Sequence, residues 1–169
     1  MTYYQKEYIS PIGPLTLASD GTHLMGLWVK GQKYYGGVLA GKMVPAEDGS
    51  LFAAAEAWLE DYFAGKRPDP AALPLAPIGS EFRQRVWKLL LEIPYGQVMT
   101  YGEIAKRLDC GSAQAIGGAV GHNPISIIIP CHRVVGSSGS LTGFAGGLDK
   151  KRWLLAHEGV DVEKLKQAH

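Results

Sequence analysis

The sequence contains only two cysteines, Cys110 and Cys131, among 169 residues. A disulfide-rich secreted domain is therefore not expected, and neither thiol has the second cysteine or the spaced histidines of a zinc site. No run of about 18 apolar residues occurs, so we expect no association with a membrane. Because residues 1–6 lack the basic and apolar regions of a signal peptide, we expect a cytoplasmic protein, and one without metal or cofactor.

The chain also lacks an excess of charge of either sign. It has 17 Lys and Arg against 16 Asp and Glu, which gives a net charge of +1. Residues 1–80 carry a net charge of −2 and residues 81–169 carry +3. A weakly basic second half suits DNA, but a difference of this size does not identify a nucleic-acid-binding protein. The hydrophobic fraction of 46% is that of an ordinary globular protein, with one domain or two small ones.

Short apolar segments separated by turn residues make up the first part of the chain. Their pattern predicts a meander of strands, which are Tyr3 to Ile9, Leu15 to Ala18 and Leu24 to Val29. Residues 30–49 are polar and rich in glycine, which predicts a loop with room for a short strand. Apolar residues from Leu51 to Tyr62 recur at helical spacing, with Ser50 as N-cap and Gly65 past the end, so one helix should cover the strands.

Proline marks the change between two parts of the chain. Four prolines between residues 66 and 77 exclude a regular helix there and indicate a linker. We therefore expect an α+β protein with a strand-rich domain over residues 1–77 and a mostly helical domain over residues 78–169.

The second part predicts a helix followed by a helix-turn-helix. Apolar residues from Phe82 to Ile93 recur at helical spacing. Thr100 and Glu103 match the capping box of a second helix, and Ser112 is the N-cap of a third helix from Ala113 to about Gly121. Two short helices joined by a tight turn form a helix-turn-helix.

The third of these helices has very little side-chain bulk. Its backbone can approach a neighbour closely, which fits either tight helix packing or the narrow minor groove of DNA. Composition alone leaves both readings open. The small residues are Ala113, Ala115, Gly117, Gly118, Ala119 and Gly121.

An apolar run of β-branched residues is followed by a proline, a cysteine and then a histidine. Residues Ile127 to Ile129 predict a buried strand, and Pro130 suits the first position of a helix whose first turn would contain Cys131. The dipole of that helix and the adjacent His132 would favour the thiolate, which is the nucleophilic form of cysteine. The alternative is a buried, inert cysteine.

A nucleophilic thiol needs a base, and the base needs a partner that orients it. His132 is the candidate base and Glu158 the candidate partner, although spacing alone does not bring them together. Glu158 ends a helix predicted from Leu148, with Gly159 as the C-cap residue. On residues alone, a turnover thiol hydrolase or acyltransferase stays possible.

The rest of this region predicts little regular structure. Residues 136–147 are too rich in glycine for a helix or strand and indicate a flexible connector. Residues 161–169 predict a frayed polar tail. The basic residues of the closing helix are expected on a solvated face: Lys150, Lys151 and Arg152.

Several short motifs in this order resemble the O6-alkylguanine-DNA alkyltransferases, also called methylated-DNA–protein-cysteine methyltransferases. The motifs are Gly117-Gly118-Ala119, Asn123-Pro124, Ile129-Pro130-Cys131-His132-Arg133-Val134, Gly146-Gly147 and His157-Glu158-Gly159. The resemblance runs from about Phe82 to Gly159 and is weak in the first half. It implies a ribonuclease-H-like first domain and a helix-turn-helix or winged-helix-like second domain.

The family likeness implies a suicide enzyme of direct-reversal DNA repair. Cys131 would accept the O6-alkyl group of guanine, or the O4-alkyl group of thymine, after the nucleotide rotates out of the duplex. His132 would remove the thiol proton through a water, and Glu158 would orient the imidazole. Tyr101 would donate a proton to O6, and Asn123 would tie the helix-turn-helix to the active-site segment.

The implied partner is double-stranded DNA with O6-alkylguanine, bound through the minor groove by a monomer. Arg133 is expected to brace the active-site segment as well as to lie at the DNA interface. The residues implied to contact DNA are Ser112, Ala113, Gln114, Ala115, Gly118 and Arg133. The residues implied to line the base pocket are Val134, Phe144, Ala145 and Gly146.

Two residues depart from the family pattern. Gln114 stands where many relatives carry an arginine that enters the base stack, so weaker binding with a shallower salt dependence is expected. Phe144 stands where relatives often have tyrosine, which should leave stacking intact but change the tolerance for larger adducts. A protein that binds lesions without chemistry, as relatives without the cysteine do, is a further alternative.

Overall fold

The computed structural model describes residues 1–167. The chain forms two compact units, the first made of Met1–Ile78 together with Pro124–Ser126 and the second of Gly79–Asn123 together with the chain from Ile127 onward. Five α-helices and a mixed four-stranded sheet are present in the described part, which confirms the α+β class. The proposed domain boundary between residues 77 and 78 stays a prediction.

The first unit is built on the predicted meander, which is confirmed. Its strands pair antiparallel in sequence order, and a fourth strand runs parallel to the first, giving the order β3-β2-β1-β4. The side chains of Leu15, Leu17 and Leu27 are fully buried. The strands are β1 (Tyr3–Ser10), β2 (Gly13–Ser19), β3 (Leu24–Val29) and β4 (Met43–Pro45).

Helix α1 (Ala53–Phe63) is joined to β1 by an ion pair of 2.8 Å between Lys6 and Glu56. A 3-10 turn at Gly49–Phe52 precedes it. The prediction of Ser50 as N-cap is wrong, because the Asp48 carboxylate accepts the backbone N–H of Ser50 and caps that turn.

The proline-rich segment is hydrogen-bonded to the edge strand β3. The Leu24 N–H donates to the Pro74 carbonyl at 2.8 Å, and the Ala76 N–H donates to the Leu24 carbonyl at 2.9 Å. Leu27 makes the same two-way pairing with Pro124 and Ser126, at 2.8 and 2.9 Å.

The second unit contains the predicted helix-turn-helix. The capping box of Thr100 and Glu103 is present, and the Ser112 side chain accepts the Ala115 N–H, so both predicted N-caps are confirmed. Asp109 adopts a left-handed conformation with φ of 52°, which turns the chain between the two helices. The elements are α2 (Glu81–Leu90), β5 (Met99–Thr100), α3 (Tyr101–Arg107) and α4 (Ala113–Gly121).

Trp87 connects α2 to α4. Its side chain is 2% exposed, and its indole N–H donates to the Ala119 carbonyl at 2.8 Å. Residue 79 must be small, because a Cβ on Gly79 would lie 2.3 Å from the indole ring. The buried face of α4 consists of Ile116, Ala119 and Val120.

The isoleucine run is buried as predicted, but it is not a strand. Residues 126–128 form a turn in which Ile127 has a left-handed φ of 72°, which is strained for a β-branched residue. The predicted helix is also wrong, because Cys131–Arg133 is a single 3-10 turn with Pro130 as its N-cap. An apolar run indicates burial, whereas a strand also needs neighbouring strands to bond its backbone.

The glycine-rich segment and the tail hold more structure than predicted. Strand β6 (Val134–Val135) pairs parallel with β5, and β7 (Ser140–Leu141) pairs parallel with β8 (Lys166–Gln167). Helix α5 (Leu148–His157) lies between β7 and β8 in the chain. The frayed tail is thus wrong for residues up to 167, while Ala168 and His169 lie outside the described residues.

No helix within residues 1–167 has both the length and the apolar composition that crossing a membrane requires.

We predict that Trp87→Phe lowers the free energy of unfolding by about 2 to 3 kcal/mol, because the change leaves a cavity and a buried carbonyl without its donor. Urea denaturation measures this loss. The matched control is Trp153→Phe, at a side chain that is 36% exposed, and it should unfold close to the wild-type midpoint. Equal midpoints for the two variants would contradict the prediction.

Candidate active site

The 3-10 turn Cys131–Arg133 places a thiol, an imidazole and a guanidinium on consecutive residues. All three side chains are buried, and His132 is fully enclosed. The Arg133 N–H donates to the Pro130 carbonyl at 3.0 Å and closes the turn. Just ahead of it, the Asn123 amide donates to the Ile129 carbonyl at 2.7 Å. This contact ties the chain two residues past the end of α4 to the active-site segment, as expected for Asn123.

Glu158, just past the end of α5, carries a buried carboxylate that the side chains of this turn bind. One of its oxygens accepts from His132 Nε2 at 2.6 Å, and the Arg133 guanidinium reaches both oxygens at 2.7 and 3.1 Å. The Gly96 N–H adds a fourth contact at 3.2 Å. The structure therefore brings together two predicted site residues that are 26 positions apart in the sequence.

Ionisation in this cluster follows from burial and pairing. Burial alone would raise the pKa of Glu158, but the hydrogen bonds and charges of His132 and Arg133 hold it well below its usual range. Burial lowers the pKa of His132; Glu158 opposes this, while Arg133 and Lys151 add to it. The cluster therefore combines a carboxylate, a guanidinium and a neutral imidazole at neutral pH.

A neutral imidazole that donates its Nε2 proton to Glu158 keeps Nδ1 as the basic nitrogen. His132 Nδ1 is buried and has no hydrogen-bond partner among residues 1–167. The arrangement therefore provides a base whose orientation is set by a carboxylate, as nucleophilic catalysis requires. No three His, Cys, Asp or Glu side chains in the same part of the chain are grouped to hold a metal ion.

Arg133 is braced on three sides. Besides Glu158, its guanidinium donates to the Ile93 carbonyl at 2.7 Å and lies 5.8 Å from the ring centre of Tyr95. These contacts fit the expected bracing of the active-site segment. A contact of Arg133 with DNA stays a prediction, which its exposure of 8% does not favour.

Lys151 is buried, and the prediction of a solvated face is wrong for this residue. Its side chain is fully enclosed, and its ammonium donates to the carbonyls of Val134 and Thr142, both at 2.5 Å, and of Gly143 at 3.1 Å. Burial lowers the pKa of Lys151 to about 8, and the nearby Cys131 opposes this.

Sequence reasoning missed Lys151, although its position carried a signal. Lys151, Leu154, Leu155 and Glu158 follow the i, i+3, i+4, i+7 spacing that places residues on one helix face. Two leucines at this spacing predict a buried helix face that includes Lys151. Leu154 and Leu155 are indeed fully buried.

Tyr101, the first residue of α3, is half-buried beside the loop between β7 and α5. A Cβ on Gly143 would lie 3.8 Å from its phenol oxygen. Burial raises the pKa of Tyr101, a hydrogen-bonding interaction with the Thr142 side chain counteracts this, and Cys131 adds to it. The Thr142 hydroxyl oxygen is buried, yet it forms no hydrogen bond of normal geometry within residues 1–167.

The predicted pocket residues Phe144, Ala145 and Gly146 are half-buried in this same loop, and Val134 is fully buried in β6. The carbonyl of Val134, a residue implied to line the base pocket, already accepts one hydrogen bond from Lys151. A carbonyl has two lone pairs, so a second acceptor position remains.

The predicted DNA-contacting residues other than Arg133 lie on α4 and at its N-cap. A Cβ on Gly117 or Gly118 would meet no atom within 4 Å, other than those of the glycine's chain neighbours and its own helix backbone. Tight helix packing therefore does not account for these glycines. The exposed residues at the start of this helix are Ser112, Ala113, Gln114 and Ala115.

Both parts of the chain match models of one family. Residues 81–160 match the model described as 6-O-methylguanine DNA methyltransferase, DNA binding domain. Residues 3–77 match the model described as the ribonuclease-like domain of 6-O-methylguanine DNA methyltransferase. The chain belongs to this family. The expected ribonuclease-like first domain is thereby confirmed.

Relatives of the 6-O-methylguanine DNA methyltransferase family match most of the chain. The chain is 47% identical over 150 residues to the methylated-DNA–protein-cysteine methyltransferase of Mycobacterium tuberculosis, with 88% of each chain covered. It is 41% identical over 158 residues to that of Haemophilus influenzae, covering 93% of this chain and 87% of the relative.

Solved structures of the family share the fold. The crystal structure of Mycobacterium tuberculosis OGT in complex with DNA matches with a TM-score of 0.83 and 46% identity, covering 92% of this chain and 93% of that chain. A methyltransferase from Pyrococcus kodakaraensis, 23% identical with a TM-score of 0.68 over 94% of this chain and 100% of that one, shows the fold alone.

We predict that Glu158→Gln lowers the free energy of unfolding by about 3 to 5 kcal/mol at neutral pH, because the Arg133 charge is left buried without its partner. In the wild type, stability should fall as pH drops below 6.5, and further below 4.5, because the unfolded state takes up protons that His132 and Glu158 resist in the folded state.

Urea denaturation at several pH values tests both statements. The variant should lose the part of the stability change below pH 4.5 that comes from Glu158, because a glutamine takes up no proton in the unfolded state. Glu163→Gln is the matched control, because Glu163 is 80% exposed and pairs with Arg152 at the surface. A variant as stable as the wild type would show that the buried pair contributes little.

Proposed function

We infer that the protein is a methylated-DNA–protein-cysteine methyltransferase, which repairs DNA by direct reversal through alkyl transfer to one of its own cysteines. The two relatives described above carry this activity in their names, and both parts of the chain match its family. We assign the acceptor role to Cys131.

One observation carries the assignment of residues, which is the contact of 2.6 Å between His132 and Glu158 directly beside Cys131. A thiol alone, even a buried one, is most often inert. A neighbouring imidazole oriented by a carboxylate turns such a thiol into a nucleophile. Cys110 lies in the turn of the helix-turn-helix, where its thiol donates to the Ser112 carbonyl at 3.6 Å.

The reaction we propose is a single displacement. His132 Nδ1 takes the thiol proton through a water, and the Cys131 thiolate attacks the alkyl carbon on O6 of guanine. The C–S bond forms as the C–O bond breaks, and the electron pair of the broken bond stays on the base. Tyr101 gives the base a proton, which the phenol regains from solvent. The thioether product is stable, so each molecule acts once.

DNA binding through the minor groove is supported by the form of α4. Its exposed N-terminal residues and the open space beside Gly117 and Gly118 allow close approach of the backbone to a narrow groove. The Ser112 hydroxyl and the free N–H groups at the helix start suit a phosphate. Binding must offset the cost of flipping the alkylated nucleotide, which is about a few kcal/mol.

The flipped base would enter beside the loop that carries Phe144, Ala145 and Gly146. We propose that Phe144 stacks on the base, that the Ala145 N–H donates to O6, and that the carbonyls of Cys131 and Val134 recognise the guanine edge. We also propose that residues 78–169 form the DNA-binding and alkyl-acceptor domain. A monomer suffices, because one chain supplies every group named. A thiol outside any disulfide fits the reducing cytoplasm.

We predict that Cys131→Ser retains affinity for a duplex with O6-methylguanine but transfers no labelled methyl group to protein. Cys110→Ser, the matched control, should transfer at the wild-type rate with a stoichiometry of one. Mass spectrometry of the peptide that contains Cys131 locates the methyl group. Transfer by Cys131→Ser would refute the acceptor assignment, and repeated turnovers would favour a thiol hydrolase.

We predict that Gln114→Arg binds DNA more tightly at low salt and steepens the slope of log K against log salt by about 1, because one more cation reaches the DNA. Fluorescence anisotropy at several salt concentrations measures the slope. Gln114→Met, which adds no charge, should leave the slope unchanged. An unchanged slope for Gln114→Arg would place residue 114 away from the duplex.

A further inference from the structure

The buried hydroxyl of Thr142 is a polar group that none of the steps above uses. Its oxygen is shielded from solvent and forms no hydrogen bond of normal geometry within residues 1–167, although an interaction with its side chain lowers the pKa of Tyr101. A buried hydroxyl without a well-formed hydrogen bond is costly, so such a group in an active site indicates a contact that tightens during binding or reaction.

Thr142 lies close to both Gly136 and the phenol of Tyr101. A Cβ on Gly136 would lie 3.2 Å from the Thr142 methyl carbon. The hydrogen-bonding interaction that lowers the pKa of Tyr101 comes from the Thr142 side chain. The next residue, Gly143, approaches the phenol of Tyr101, with 3.8 Å between a Cβ at that position and the phenol oxygen.

Lys151 holds this segment in place. Its ammonium binds the carbonyls of both Thr142 and Gly143, and it binds Val134, which follows the Cys131 turn. The three acceptors share one cation, so the loop that carries Thr142 is tied to the strand that leaves the active-site turn. The Thr142 hydroxyl is therefore held beside Tyr101 instead of moving with a free loop.

We propose that Thr142 is a positioning residue, whose hydroxyl donates a hydrogen bond to the phenol oxygen of Tyr101 while the phenol gives its proton to the departing guanine. This inference rests on the proposed function. The guanine receives the phenol proton, the phenol oxygen gains negative charge, and Thr142 keeps its own proton. Solvent afterwards returns a proton to Tyr101.

The chemistry of the pocket explains why a second hydroxyl is needed. A phenol in a half-buried site loses the water that would stabilise its developing charge, and its pKa is raised accordingly. A preorganised donor aimed at that charge stabilises the transition state more than the ground state. The lowering influence of Thr142 on the pKa of Tyr101 is in the direction that this role requires.

Two substitutions separate the hydroxyl from the shape of the side chain. Thr142→Val keeps the branched shape without the hydroxyl, and Thr142→Ser keeps the hydroxyl without the methyl. In single-turnover transfer from O6-methylguanine DNA, the valine variant should be slower by about 10-fold, the effect of one lost hydrogen bond, with its Kd for the same DNA within about 2-fold of wild type. The serine variant should stay within about 2-fold of the wild-type rate.

A double-mutant cycle with Tyr101→Phe tests whether Thr142 acts through the phenol. Once the phenol oxygen is gone, Thr142→Val should slow transfer no further. An equal slowing in both backgrounds, a serine variant as slow as the valine variant, or a valine variant at the wild-type rate would each overturn the proposal. Absence of transfer by the wild type would instead refute the proposed function itself.

Discussion

The active site depends on the burial of one carboxylate, that of Glu158, between an imidazole and a guanidinium. An unpaired charge at this depth costs several kcal/mol, so the residues that satisfy it must all be in place whenever the protein is folded. Those partners come from the Cys131 turn and from the chain around Gly96, while the carboxylate follows α5. Folding of this unit and assembly of the site are therefore a single event.

The same carboxylate determines how the thiol is activated. The expected helix at Pro130 would have supplied a dipole, but a single 3-10 turn has too few aligned peptide units to do so. Individual groups take over that task. His132 offers Nδ1 because Glu158 holds its other nitrogen, and Lys151 places a positive charge close to Cys131.

Local signals in the sequence predicted local structure correctly. They could not predict features that depend on contacts between residues far apart in the sequence. The capping box at Thr100 and the N-cap at Ser112 each involve residues only three positions apart, and both are present. The run ending at Ile129 had the composition of a strand, but its conformation depends on partners elsewhere, including the Asn123 side chain. Residue types predicted His132 and Glu158 as a pair, whereas only the fold brings them together.

The glycine-rich loop shows how composition misleads when a charged group is buried beside it. Gly139, Gly143 and Gly147 all have positive φ, which lets the backbone around them turn sharply, and the Thr142 and Gly143 carbonyls point at the Lys151 ammonium. The backbone carbonyls of this loop therefore bind the ammonium group of Lys151. Because the pKa of Lys151 is lowered to about 8 from 10.5, folding is favoured as pH rises through this interval, while the charge that holds the loop is lost. As pH rises through this interval, the free energy of unfolding therefore increases, while the loop that carries Thr142 and Gly143 loses the charge that orders it.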